Sequence, residues 1–301
     1  MARTPSSPTL ALILSAAVLA ATDASAQEVR DPLRPDAPPV QQAEEKARTA
    51  DLREAGEKIG AGQLEDAEAL LAPMLEPFPD DPALLLMLGE VRLALGRPDQ
   101  ALPVLEHAAE ISPDRLRLQF QLGSALAATG RTEDALAAFR RELENNDNPE
   151  VRVLSLLNRS FLLQNMKRWE DSAAELVQVA ELDPTKAQVY GDAASLYIQA
   201  GIPEKAEEVL AAGEPLGFRS AQHTYSLGAA YYKDEKYEQA AAAYRRCLLI
   251  KPTFYKAERG LGLALEKSGK GDEAVAHFRK YLELKPDARD RDRILKAIGD
   301  R

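Results

Sequence analysis

The chain repeats itself every 34 residues, and the repeat constrains it more than any other feature. Leu-Gly pairs mark the register. Leu88-Gly89 and Leu122-Gly123 lie 34 apart, as do Leu227-Gly228 and Leu261-Gly262. The step between the two sets is 105, which is three periods plus three residues. A fixed period of this length marks one supersecondary unit copied along the chain, each copy too small to bury its apolar side alone. Stacked copies share a continuous core, so such a chain folds as an array rather than around one central core.

In this register the copies run 48–81, 82–115, 116–152, 153–186, 187–220, 221–254 and 255–288. The first is degenerate, and the third carries its three extra residues around Asn145-Asn146-Asp147-Asn148-Pro149. Position 8 is small: Gly89, Gly123, Gly228 and Gly262, with Ser160 and Ala194 as variants. Position 20 is alanine in six copies (Ala67, Ala101, Ala135, Ala206, Ala240, Ala274) and Ser172 in the fourth. Small residues at both places let two helices approach closely, and large residues at positions 4, 7, 11 and 24 fill the space between them. Gly96, Gly130, Gly201 and Gly269 at position 15 permit a chain reversal. A proline near position 32 stops the second helix. No strand-like alternation is present, so the expected class is all-α.

The clearest copies are A-L-L-L-M-L-G…L-G-R-P-D-Q-A (from Ala83), Y-S-L-G-A-A-Y…Y-E-Q-A (from Tyr225) and E-R-G-L-G-L-A-L…D-E-A (from Glu258). This pattern closely resembles the tetratricopeptide repeat, a helix–turn–helix unit. The resemblance covers Arg48 to Ala288. It implies a right-handed superhelical solenoid of about seven repeats, with the first helix of each repeat lining a concave groove. It also implies work as a holder of another molecule.

The N-terminus reads as a secretory signal over residues 1–26. Arg3 gives a positive start, Leu10 to Ala21 is apolar but for Ser15, and Ala24-Ser25-Ala26 has the small-x-small form of a cleavage site. That apolar run is shorter than the roughly 20 residues that span a bilayer. Residues 27–40, with Pro32, Pro35, Pro38 and Pro39, read as an extended linker, residues 41–288 as the array, and residues 289–301 as a capping helix. No integral membrane segment is expected, no cysteine stands directly after the signal, and a bacterial periplasm is the expected compartment.

A formal charge of −10 argues against nucleic acid as a general ligand. The single cysteine, Cys247 at position 27, rules out an intrachain disulfide framework and reads as a buried, inert thiol. His107, His223 and His277 lie in different repeats without metal-ligand spacing, and the first and last occupy second-helix positions that usually face outward. No phosphate-binding glycine loop or nucleophile elbow occurs. The expectation is a non-enzyme without cofactor or metal. Tyr190, Tyr197, Tyr231, Tyr244, Trp169 and Tyr237 fall on packing positions of the repeat.

The resemblance places positions 2, 5, 6, 9, 12 and 13 of each first helix at the groove. The third repeat then offers Arg117, Phe120 and Gln121, and the fourth Asn158, Phe161, Gln164 and Asn165. The fifth offers Gln188, Asp192, Ser195 and Gln199. The sixth offers Gln222, Tyr225, Tyr232 and Lys233, and the last Lys256, Arg259 and Lys267. Amides carry both a donor and an acceptor and can pair with an extended peptide backbone. The bases form one positive end, where Leu263 and Ala229 stand in place of the asparagine of a carboxylate clamp. The expected function is a periplasmic scaffold that binds a protein or extended peptide in envelope biogenesis, secretion or complex assembly. The alternative is a structural subunit of a larger envelope machine, such as an exopolysaccharide export complex. Oligomeric state is not legible from the sequence.

Overall fold

Each 34-residue copy folds as a helix hairpin. The structure is a computed structural model that describes residues 39–299, and it contains fifteen α-helices and one 3-10 turn, with no strand among the described residues. The hairpins are α1 (Pro39–Gly60) with α2 (Leu64–Met74), α3 (Pro82–Ala94) with α4 (Pro98–Ile111), and α5 (Leu118–Ala128) with α6 (Thr132–Asn145). Next come α7 (Pro149–Asn165) and α8 (Trp169–Leu182), then α9 (Gln188–Ala200) and α10 (Pro203–Gly213), which the 3-10 turn Glu214–Leu216 follows. The last two hairpins are α11 (Ala221–Lys233) with α12 (Tyr237–Ile250) and α13 (Tyr255–Lys267) with α14 (Gly271–Leu284), and α15 (Arg291–Gly299) closes the order. This is a helical repeat solenoid in architecture.

The expected signal lies outside the described residues, as does most of the expected linker. Pro39 and Val40, assigned to that linker from the sequence, instead open α1. Proline suits the first helical turn, because its missing N–H has no intrahelical acceptor there.

Local chemistry fixes both ends of the hairpins. Asp81 caps α3, accepting from the N–H groups of Ala83 (2.8 Å) and Leu84 (3.2 Å), and Pro82 takes the first position. Asn148 does the same for α7 with Glu150 (2.9 Å) and Val151 (3.3 Å), so the three-residue insertion ends as a cap. Every second helix opens on acid: Glu65, Asp99, Glu133, Glu170, Glu204, Glu238 and Asp272. Negative charge at that end complements the helix dipole. The reversal residue at position 15 is left-handed in all seven repeats. Gly62, Gly96, Gly130, Gly201 and Gly269 have φ between 71° and 83°, while Lys167 (59°) and Glu235 (60°) adopt the same conformation without being glycine.

The core follows the small–large pairing. A Cβ added at Gly89 would sit 2.5 Å from Leu105, at Gly123 2.9 Å from Phe139, at Gly228 2.7 Å from Tyr244, and at Gly262 2.6 Å from Phe278. These are position 8 against position 24 in four different repeats. The position-20 alanines and Ser172 are fully buried.

The described residues divide into two compact units, one up to Leu162 and the other from Leu163 onward. In the first, α1 to α6 pack in order, and Leu52, Ala67, Leu71, Leu84, Leu88 and Val91 belong to one buried cluster. In the second, α9 packs on α8 and α10, α11 on α12, and α13 on α12 and α14. α15 packs on α14, and the first helices also touch one another there, α9 on α11 and α11 on α13. They form one wall.

Candidate partner-binding face

In the first unit the first-helix positions are largely occupied by the protein's own side chains. Phe120, expected at the groove, is only 5% exposed and packs against Phe139 with ring centroids 5.7 Å apart. It belongs to the core, where an edge-inclined ring pair is favourable. Arg117 and Gln121 are not offered to a guest either. Arg117 Nη2 donates to Glu90 Oε1 at 2.7 Å, and Gln121 Nε2 donates to the same oxygen at 3.0 Å. Glu90 and Gln121 are buried, so the network compensates charge that burial would otherwise penalise. Asn158 is half-buried, and its amide donates back to the Leu154 carbonyl at 3.0 Å, which uses one of the donors assigned to a peptide backbone. Phe161 is half-buried.

In the second unit the wall is open to a larger extent. Asn165, Gln188, Asp192, Gln199, Lys233, Lys256 and Lys267 are exposed, and Gln164 is half-buried. Tyr225 is half-buried between Phe254 (5.2 Å) and Tyr244 (5.7 Å), so one part of its ring is core and the rest is surface. Tyr232 leans edge-on against Tyr237 at 5.4 Å. Ser195 is exposed and turns its hydroxyl onto the Gly191 carbonyl at 3.0 Å.

Arg259 departs from the expected basic end. Its Nε donates to Asp290 Oδ2 at 2.6 Å, and the Tyr281 hydroxyl donates to Asp290 Oδ1 at 2.7 Å. Burial disfavours the charged form of both partners, but their hydrogen bond prevails: Arg259 is held above its ordinary pKa and Asp290 below. Arg259 therefore ties the last hairpin to the segment leading into α15. Lys256 carries the positive charge that remains on that helix start.

Asp192 and His223 face each other across α9 and α11. Burial raises the Asp192 pKa, and the nearby imidazole offsets this in part; burial lowers the His223 pKa, and the nearby carboxylate offsets that in part. His223 Nδ1 lies 2.7 Å from Ser220 Oγ, and its ring packs on Phe218 at 5.5 Å. His277, placed outward by its repeat position, is instead half-buried and meets Glu258 at 2.7 Å. Cys247 is buried, donates to the Ala221 carbonyl at 3.2 Å, and burial lifts its thiol pKa to about 11. Among the described residues no cluster of three or more metal-ligating side chains occurs, and no helix is long and apolar enough to cross a membrane.

The fold and this polar wall define a helical-repeat scaffold for protein–protein interaction. Family models described as tetratricopeptide repeat match residues 58–105, 86–149 and 225–289, and the chain belongs to the tetratricopeptide repeat family. Among solved structures, that of Naa15/Naa10 bound to HypK-THB aligns with a TM-score of 0.65 at 16% identity, over 85% of this chain and 40% of that one. The C-terminal part of a TPR repeat-containing protein from Cytophaga hutchinsonii aligns with a TM-score of 0.52 at 12% identity, over 82% of this chain and 99% of that one. A crystal structure of MamA protein is 26% identical, with a TM-score of 0.41, over 56% of this chain and 91% of that one. No curated protein matches the chain.

Proposed function

We propose that the protein is a non-catalytic, exported scaffold that holds an extended segment of a partner protein on the first-helix wall of the second unit. The compartment proposed is the periplasm, on the strength of the signal-like residues 1–26, and the setting is envelope biogenesis, secretion or complex assembly. One observation carries the binding reading. Gln188, Gln199, Lys233, Lys256 and Lys267 are exposed on one wall and their side chains make no hydrogen bond or ion pair among the described residues, whereas those of Glu90, Arg117 and Arg259, also at first-helix groove positions, do. Free amides on a wall held by packed helices meet a peptide with little ordering on the receptor side.

A photocrosslinking residue at Gln199 or Gln222 tests this in living cells. The expected outcome is one partner captured at both positions and absent when the probe sits at Ala242 or Arg279 on second helices. Capture from the second-helix positions alone would replace this reading with a structural-subunit role in a larger envelope machine, such as an exopolysaccharide export complex. Leu249, 83% exposed on α12 next to Ile250, is the feature that favours that second reading.

A further inference from the structure

The wall of the second unit carries charge of both signs, and intramolecular pairing selects which charges are left for a guest. At positions 2, 5, 6 and 9 of its first helices α9, α11 and α13, the charged residues are Asp192, Lys256 and Arg259. Arg259 is consumed by Asp290. Asp192 on α9 and Lys256 on α13 are both exposed, and neither makes a hydrogen bond or ion pair among the described residues. At these positions one negative and one positive group thus stand at the two sides of α11, with exposed Gln222 and half-buried Tyr225 between them. The exposed Lys233 and Lys267 stand at position 13, at the other end of their helices.

The backbone beside Asp192 is tightly packed. Its neighbour Gly191 has no room for a Cβ, which would fall 2.4 Å from the Phe218 ring and 3.0 Å from the His223 ring. The α9 backbone next to Asp192 is therefore seated directly on Phe218, at the end of the fifth repeat, and on His223, in the first helix of the sixth. His223 supplies only partial compensation, because burial disfavours its charged form. With only a half-buried imidazole beside it, the Asp192 carboxylate is left for an incoming Lys or Arg to pair with. Lys256 stands at the second residue of α13, apart from the Arg259–Asp290 pair that has used the other base.

We infer that this wall selects a bipolar segment: an extended peptide that sets a Lys or Arg on Asp192 and an Asp or Glu on Lys256, with its backbone passing over Gln222 and Tyr225. Neighbouring packed helices lie about 8–10 Å apart, so α9 and α13 are roughly 20 Å apart across α11. An extended chain rises about 3.3 Å per residue, so the two charges in the guest stand about six residues apart. The order of the charges fixes the direction in which the segment lies, a use of complementarity that gives register and specificity. This rests on the proposal that the wall binds a protein segment at all.

The test is selection from a randomised nonapeptide library by the purified full-length chain, run in parallel with Asp192→Lys and Lys256→Glu. Both side chains are exposed, and circular dichroism checks that each variant keeps its helix content. The wild type is expected to enrich peptides with a basic and an acidic residue about six apart. Asp192→Lys should turn the basic preference acidic and leave the other unchanged, and Lys256→Glu should turn the acidic preference basic. Each reversal should weaken a wild-type-selected peptide about tenfold, equivalent to about 1.4 kcal/mol. Peptides retained without this charge pair, or with preferences that do not follow the reversals, overturn the bipolar inference while leaving a peptide-binding wall. Retention of no peptide above background overturns both.

Discussion

Glu142 caps a helix to which it does not belong. Its Oε2 accepts the backbone N–H of Phe120 at 3.0 Å, its Oε1 accepts that of Arg117 at 3.1 Å, and Asn146 Nδ2 donates to Oε1 at 2.6 Å. Arg117, at the start of α5, is left-handed with φ 66° and offers no side-chain cap of its own. The carboxylate reaches across from α6, is almost wholly buried, and satisfies donors that no residue of α5 satisfies. Glu142→Ala leaves those donors buried and unpaired, and a loss of about 1–3 kcal/mol is expected. Repeat arrays unfold locally as well as globally, so hydrogen exchange is the sharper readout. The Phe120 amide should lose protection first, while amides in α13 should keep theirs.

The tightness of the hairpins predicts opposite effects for two glycines in helices. Gly262→Ala forces a Cβ to within 2.6 Å of the Phe278 ring, between α13 and α14. Overpacking of this kind costs about 1–3 kcal/mol and exceeds the gain in helix propensity. Gly56→Ala places its Cβ 3.9 Å from the nearest side-chain atom, Met87 Cε, an ordinary contact. There the propensity term stands alone, and stabilisation of about 0.5–1 kcal/mol is expected. Urea unfolding of the two variants beside the wild type checks both signs. Equal effects would remove position 8 against position 24 as the organising contact.

The left-handed turn residues give a second pair of signs. Lys167 and Glu235 hold φ 59° and 60°, where an L side chain crowds its own carbonyl. Replacement of either by Gly, the residue used at this position in the other five repeats, should stabilise by about 1 kcal/mol. Gly201→Ala, at φ 79°, should cost about the same. Thermal unfolding followed by circular dichroism measures all three.

Much of this was legible in the sequence because it recurs. The period exposed the hairpins, the small–large contact and the reversal at position 15, since each is a local demand repeated in copy after copy. The working wall was less legible. A repeat position states which face a side chain is on, but not whether a neighbouring repeat supplies its partner. Arg117 finds Glu90 across 27 residues and Arg259 finds Asp290 across 31, although repeat position alone places both at the groove. Phe120 sits at a wall position yet is covered, because Phe139 fills the space beside it. Opposite charges about one period apart, such as Glu90 and Arg117, are the signal that a sequence reading can use to remove such residues from a binding site. The filter marks candidates only, because Asp192 has Arg219 27 residues on and Lys256 has Asp290 34 residues on. In the structure neither side chain is paired, and Asp290 goes to Arg259.

The Arg259–Asp290 pair makes the docking of α15 sensitive to acid. Burial alone would raise the Asp290 pKa, but hydrogen bonds from Arg259 and Tyr281 outweigh it and hold the pKa below the ordinary aspartate value. A carboxylate depressed in the folded state contributes stability that is fully present above its unfolded pKa, about 3.9. That stability is lost as pH falls through the lower folded value. The amide of Ile294, which is buried against the rest of the second unit, should therefore keep its protection at neutral pH and lose it in that acid window. Asp290→Asn removes the titrating group. Its Ile294 amide should exchange faster at neutral pH, and the additional acid-dependent loss should be absent. Arg259→Gln should reproduce the faster exchange at neutral pH and move the remaining acid transition upward toward the ordinary aspartate range. An Ile294 amide equally protected in all three proteins would show that apolar packing alone holds α15.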